Sequence, residues 1–255
     1  MVVLLLSLAS AVGTAAYGVT HAVDPARPIP AGAAGAPSTS ANGSTEPTRT
    51  TPSSTRPTAS AKTDRTDTTR TTDQKVTIPS DAPAKYRRND VTARPGGSAG
   101  RVITFDVRVQ AGLPYDADDV AEAIADTLAD PRSWRADGRQ RFRLVSDPAK
   151  AELHAYLVTP DTTDRLCAPL LTRGEVSCQQ GRAVVLNARR WAYGVRDFDG
   201  QVGLYRQYLV NHEFGHYLGY GHVECPANGR RAPVMMQQTK GLDGCKTNAW
   251  PYPNR

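Results

Sequence analysis

Hydrophobic and polar positions change their rhythm several times along the chain, and each change predicts an element. Over 101–109, "RVITFDVRV", Ile103, Phe105, Val107 and Val109 alternate with Val102, Thr104, Asp106 and Arg108. A period of two carried by β-branched residues predicts a strand. In "DADDVAEAIADTLAD" the period lengthens, with Val120, Ile124 and Leu128 recurring every fourth residue. That spacing predicts an amphipathic helix with Asp116 as its N-cap and Pro131 just beyond its end. Residues 140–146 ("QRFRLVS"), 151–159 ("AELHAYLVT") and 181–188 ("GRAVVLNA") predict three further strands, the last two separated by a loop holding Cys167 and Cys178. A long helix is predicted over 201–218, capped by Asp199 or Gly200. Its apolar residues, among them Val202, Leu204, Tyr208, Leu209, Phe214 and Leu218, surround the axis instead of forming a stripe, as in a helix buried in the middle of a domain. The order is strand, helix, strands, buried helix, then a tail rich in Gly, Pro and Cys: an α+β arrangement.

This patterning is confined to 76–255. Residues 24–75 are Pro, Thr, Ser, Ala and Gly with scattered charges and no aromatic residue. Such a stretch cannot bury enough apolar area to offset its ordering entropy, which predicts a disordered linker. Within 1–23, the run from Val2 to Tyr17 is almost uninterruptedly apolar or small, with no charge before Asp24. It resembles the apolar region of a secretory signal, with Thr20-His21-Ala22 as a small-residue cleavage site, or, if uncut, an N-terminal membrane anchor. The domain over 76–255 is therefore expected outside the cell, touching a membrane only through the N-terminal segment.

Composition agrees. A hydrophobic share of 39% and a mean hydropathy of −0.47 fit a globular domain diluted by a polar linker. The net charge of +6 is spread out. Without a dense basic block interleaved with aromatics it argues against nucleic-acid binding. All four cysteines, Cys167, Cys178, Cys225 and Cys245, lie in the C-terminal part, and an exported context favours disulfides. Three connectivities are open. Proximity in sequence favours Cys167–Cys178 and Cys225–Cys245, each contributing about 3 kcal/mol. Neither pair has the close spacing of a cysteine zinc site.

Three of the five histidines fall in "HEFGHYLGYGH", from His212 to His222. On a helix His212 and His216 share a face, so both imidazoles can reach one ion. Glu213 is rotated away from His212 and can stand beside an open coordination position, where it would take a proton from a zinc-bound water. Gly219 can end the helix at positive φ and return His222 as a third ligand. Three neutral imidazoles with a free fourth position are the catalytic pattern of Zn²⁺.

The run resembles the zinc signature of the metzincin metallopeptidases, in its matrixin form including Phe214 and Leu218. It also resembles a group of uncharacterised bacterial exported proteins carrying this motif. The family places a methionine turn downstream of the third histidine, and "APVMMQQ" offers Met235, with Met236 second. The resemblance implies a twisted, mostly parallel sheet with one antiparallel edge strand, a backing helix, an active-site helix and an irregular C-terminal subdomain. In such a fold residues 182–187 would be the edge strand, to which an extended peptide adds. The implied activity is extracellular zinc-dependent hydrolysis of peptide bonds by a monomer, with Glu213 as general base and a protein, peptide or cell-wall peptide as substrate. Two alternatives stand beside it: a cell-surface binding module with a catalytically silent zinc site, and a cell-wall peptide amidase. Some metzincins carry a tyrosine ligand after the turn methionine; here Gln237 and Gln238 take that place. Of the other candidates, "DFDG" (197–200) reads as a turn and helix cap, His154 as a strand residue, Ser177 as no hydrolase nucleophile, and Trp191 and Tyr193 as core or pocket aromatics.

Overall fold

The computed structural model describes residues 76–255. The proposed signal or anchor over 1–23 and the linker over 24–75 lie outside them. Six strands form one sheet: β1 (Tyr86–Arg88), β2 (Arg101–Gln110), β3 (Gln140–Leu144), β4 (Leu153–Val158), β5 (Cys178–Gln180) and β6 (Ala183–Asn187). The helices are α1 (Ala117–Ala129), α2 (Pro160–Cys167), α3 (Ala188–Tyr193) and α4 (Val202–Tyr217). β2 pairs parallel with β3 and β4, and β4 parallel with β6. Two antiparallel strands complete the sheet, β1 on β2 and β5 on β6. The carbonyls of Phe105 and Val107 accept from Val145 and Asn89, while that of Thr104 accepts from Glu152. Alternate carbonyls of a strand point to opposite sides, so β1 and β3 lie end to end along one edge of β2 and β4 occupies the other. The architecture is mixed α+β with a mostly parallel open sheet.

The alternation of β2 sorts as predicted. Ile103, Phe105, Val107 and Val109 are buried in the main core with α1 and α4. Asp116 caps α1, its carboxylate accepting from the backbone N–H of Asp118 and Asp119. α4 is enclosed, with Tyr205 and all eight residues from Tyr208 to Gly215 buried. Phe214 fixes it to the sheet: its ring meets Phe105 and Phe142 edge-on, at centroid distances of 5.6 and 5.1 Å. Such pairs contribute about 0.5–1.5 kcal/mol each beyond area burial.

Three expectations need correction. Residues 182–187 are not the edge: β6 is flanked by β4 and β5, and the outer position belongs to β5. The expected loop between β4 and β6 instead holds α2 and β5. Its helix is polar enough (PDTTDRLC) to escape an apolar search, yet it buries Thr162 and Thr163, and the Thr162 hydroxyl accepts from Gln110 Nε2 at 2.9 Å. Finally, neither Asp199 nor Gly200 caps α4. The N-cap is Gln201, without a side-chain cap bond, because Asp199 ends a preceding 3-10 turn in the left-handed region with φ 48°.

Both disulfides are formed, Cys167–Cys178 and Cys225–Cys245. The first ties the end of α2 to β5; the second ties the segment after His222 to the tail. Two disulfides fit an oxidising or extracellular environment. No helix of the described residues is long and apolar enough to cross a membrane.

Candidate metal centre

α4 supplies His212 and His216 one turn apart, with their Nε2 atoms 3.2 Å from each other. The helix then stops within one residue. The N–H of Gly219 donates to the carbonyl of His216 and that of Tyr220 to the carbonyl of Gly215, at 2.9 and 3.0 Å. This pair of bonds is the Schellman ending. It requires the left-handed backbone that Gly219 adopts, φ 91°. A Cβ there would meet nothing within 4 Å, so the demand is conformational, worth about 1–2 kcal/mol against a side chain. The turned chain brings His222 Nε2 to 3.0 Å from that of His216.

The tautomers test whether a cation fits. His212 Nδ1 lies 2.8 Å from the Val234 carbonyl and His216 Nδ1 2.9 Å from the Tyr220 carbonyl. A carbonyl only accepts, so both Nδ1 atoms donate. Burial lowers the ring pKa of His216, and that of His212 to about 3. A neutral imidazole has one N–H, so both Nε2 atoms face each other as bare lone pairs with no proton to share. Burial also lowers His222, to about 4. The two facing lone pairs repel unless a cation lies between them, and His222 Nε2, 3.0 Å from that of His216, can complete the same donor set. Zinc–nitrogen bonds of about 2.0–2.1 Å in a tetrahedral set separate nitrogens by about 3.3 Å, close to the observed spacings. The donor set fits zinc, and imidazole donors also suit copper, nickel and iron.

Glu213 follows His212 and is buried, with Oε2 lacking any hydrogen-bond partner. Burial alone pushes its carboxyl up to about 8. A dication nearby would lower it again, since an opposite charge favours the ionised form. Glu213 and the three histidines line one cleft of about 540 Å³. One wall comes from Ser177 to Gln179 at β5 and the other from Gly219 to Gly221, with Gln237 and Thr239 closing it further along. β5 carries no strand on its outer side among the described residues.

Met235 packs under α4 at Gly215. Pro233 to Met236 form a tight turn, the N–H of Met236 donating to the Pro233 carbonyl at 3.0 Å. The Val234 carbonyl of this turn is the one that holds His212. A Cβ on Gly215 would collide with Met235 Sδ and lie 2.6 Å from the Trp134 ring. Glycine between the two histidine turns is thus a packing requirement. Gln238 is locked to the tail, its Oε1 accepting from Asn248 N–H and its Nε2 donating to the Asn248 carbonyl.

Apart from Ser177, the other sequence candidates stay away from the cleft. His154 lies in β4 on the opposite sheet face, beside Asp106 and Arg108. Trp191 is core, and Tyr193 is exposed with its hydroxyl on the Val76 carbonyl. Ser177 lines the cleft wall, its hydroxyl accepting from Asn187 N–H. Two supporting residues had no sequence signal. Trp134 donates its indole N–H to the Asn211 carbonyl at 2.7 Å, and Tyr220 stacks on it at 4.5 Å. Trp134 sits in a 3-10 turn that no periodicity marks.

No curated protein and no solved structure matches the chain. A family model described as "Protein of unknown function (DUF3152)" matches residues 73–253, which takes in the whole sheet, both disulfides and all four residues of the centre. The chain belongs to that family.

Proposed function

We propose that this domain is a zinc-dependent peptidase of metzincin type, acting outside the cell. One observation carries the reading: three Nε2 atoms, those of His212 and His216 free of protons, converge beside a buried, partnerless carboxyl, in a cleft walled by the outermost strand, β5. The parallel sheet with β5 as an antiparallel edge, the buried ligand helix, and Met235 beneath it support the metzincin comparison. His212, His216 and His222 would hold the ion.

When bound, zinc supplies Lewis-acid polarisation of the substrate carbonyl and a positive charge that keeps Glu213 ionised. The remaining work falls to the chain. The free edge of β5 offers main-chain donors and acceptors to an extended peptide, so the scissile bond lies along the cleft. Glu213 Oε2 accepts a proton from the attacking water and returns it to the departing amide nitrogen. The Val234 and Tyr220 carbonyls keep the two helical imidazoles in one orientation.

Metal analysis and peptide digestion test this together. The purified chain should hold one equivalent of zinc, and His212→Ala should lose it. Glu213→Gln should keep zinc and lose cleavage of a mixed peptide library by about 10²-fold or more. Zinc without cleavage of proteins, peptides or peptidoglycan fragments would favour a binding module. Cleavage of peptidoglycan fragments alone would favour the amidase.

A further inference from the structure

The cleft does not end at the histidines. It opens into a second recess of about 500 Å³, and the two share Leu171, Thr172, Val176, Thr239 and Lys240 as lining. Three cations face the recess, Arg173, Arg190 and Lys240, against a single acid, Glu175. Glu175 is already taken: Arg190 Nη2 lies 3.4 Å from its carboxylate and Arg190 Nε donates to its carbonyl. Arg173 and Lys240 form no ion pair among the described residues; Lys240 Nζ donates to the neutral Gln237 Oε1 at 3.1 Å. Beyond Glu213, no acidic side chain lines the main cleft.

The loop that carries Arg173 is held in place. Asp164 of α2 accepts from the Thr172 hydroxyl and, at 2.6 Å, from the Gly174 N–H. Asn187 Nδ2 donates to the Gly174 carbonyl at 2.9 Å, and the Cys167–Cys178 bond closes the same loop. Arg173, at φ 54°, is thus presented by a loop pinned on both sides. A fixed loop backbone lowers part of the ordering cost that weakens exposed ion pairs.

We propose that this recess is a carboxylate subsite, and that the substrates are acidic peptides carrying a side-chain or terminal carboxylate a short distance from the scissile bond. The substrate class rests on the peptidase reading; the subsite itself does not. A carboxylate entering beside Arg173 and Lys240 would meet two cations with no competing acid. Lys- and Arg-rich peptides would meet like charge, which adds selectivity by repulsion.

The test uses the zinc-loaded full chain and fluorescent decapeptides, identical except for Glu, Gln or Lys at alternate positions, all C-terminally amidated. A Gln peptide with a free C-terminal carboxylate separates the two carboxylate sources. By fluorescence anisotropy the Glu peptide should bind about tenfold more tightly than the Gln amide at low salt, the preference shrinking at about 0.5 M salt. The Arg173→Glu/Lys240→Glu variant should lose that preference while keeping its zinc, and Lys240→Glu alone should show an intermediate loss. Tight binding of the free-acid Gln peptide alone would assign the subsite to chain ends. Equal binding of the amidated Glu and Gln peptides and the free acid, no binding of any, or an unchanged preference in the variants overturns the subsite. A library digest adds the second reading. Cleavage with neither an acidic residue nor a free C-terminus enriched near the cut overturns the subsite and leaves the peptidase standing. Glu-selective binding without any cleavage does the reverse.

Discussion

Gly215→Ala isolates one piece of the packing beneath the centre. The added methyl enters a space already filled by Met235 Sδ and by the Trp134 ring at 2.6 Å. The thioether can swing aside, but the indole is pinned by its bond to Asn211 and by Tyr220. Overpacking of this kind costs about 1–3 kcal/mol. Alanine returns up to about 1 kcal/mol of helix propensity. With the pinned indole placing the cost in the upper part of that range, about 2–3 kcal/mol, and helix propensity returning about 1, a net loss of about 1–2 kcal/mol remains, equivalent to about 3–6 °C in the melting temperature of a domain this size. Gly203, near the start of the same helix, is the control, because a Cβ there meets nothing within 4 Å. Gly203→Ala should be neutral or slightly stabilising. Thermal unfolding of both variants after chelation reads the packing without any contribution from bound metal. Met235→Ala opens the blocked space, so the Gly215→Ala/Met235→Ala pair should lose less than the sum of its single changes. A Gly215→Ala protein as stable as the parent, or a Gly203→Ala protein equally damaged, would refute the steric argument.

Other outcomes follow from the same geometry. Gly219→Ala should cost about 1–2 kcal/mol in urea unfolding and weaken zinc retention, because it strains the turn that returns His222. Removing Cys225–Cys245 with paired alanines should cost about 3 kcal/mol and lower zinc occupancy, whereas removing Cys167–Cys178 should cost about as much and leave zinc in place. The chelated protein should be most stable near pH 6.5. Below that, the unfolded histidines bind protons that His212 and His222 refuse until pH falls to about 3 and 4, so stability rises with pH up to 6.5. Above it, buried Glu213 keeps a proton to about 8 that the unfolded chain has lost, so stability declines over 6.5–8. Glu213→Gln should flatten that alkaline limb in urea titrations.

Helical periodicity alone made the histidine pair legible: His212 and His216 must share a face, and Gly219 marks the break. The disulfide pairing was legible from proximity, and the β2 core face from alternation. β5 was not, because three residues, Cys178–Gln180, carry no alternation, and their edge position is decided by pairing with β6 and the bond to Cys167. α2 was missed because its buried face is threonine bonded to Gln110 and Thr159, a polar contact that hydropathy reads as loop. Asp199 looked like a cap by residue type, but its left-handed backbone uses it as the end of one turn instead of the start of the helix. The basic recess was also hidden, since Arg173, Arg190 and Lys240 are scattered in sequence and meet only through the loop, α3 and the segment after Met236.

The anchors of His212 and His216 are main-chain oxygens, those of Val234 and Tyr220. Their tautomers are therefore written in the route of the chain and not in the chemistry of any neighbouring side chain. Substitutions at positions 234 and 220 can alter packing yet cannot delete the acceptors. Moving the backbone at these turns disorients the imidazoles, so fraying of the last turn of α4 would loosen His216 and any ion it holds together. A bound metal would then act as a clasp on the helix end, and its occupancy would be readable as protection of the Gly219 and Tyr220 amides from hydrogen exchange.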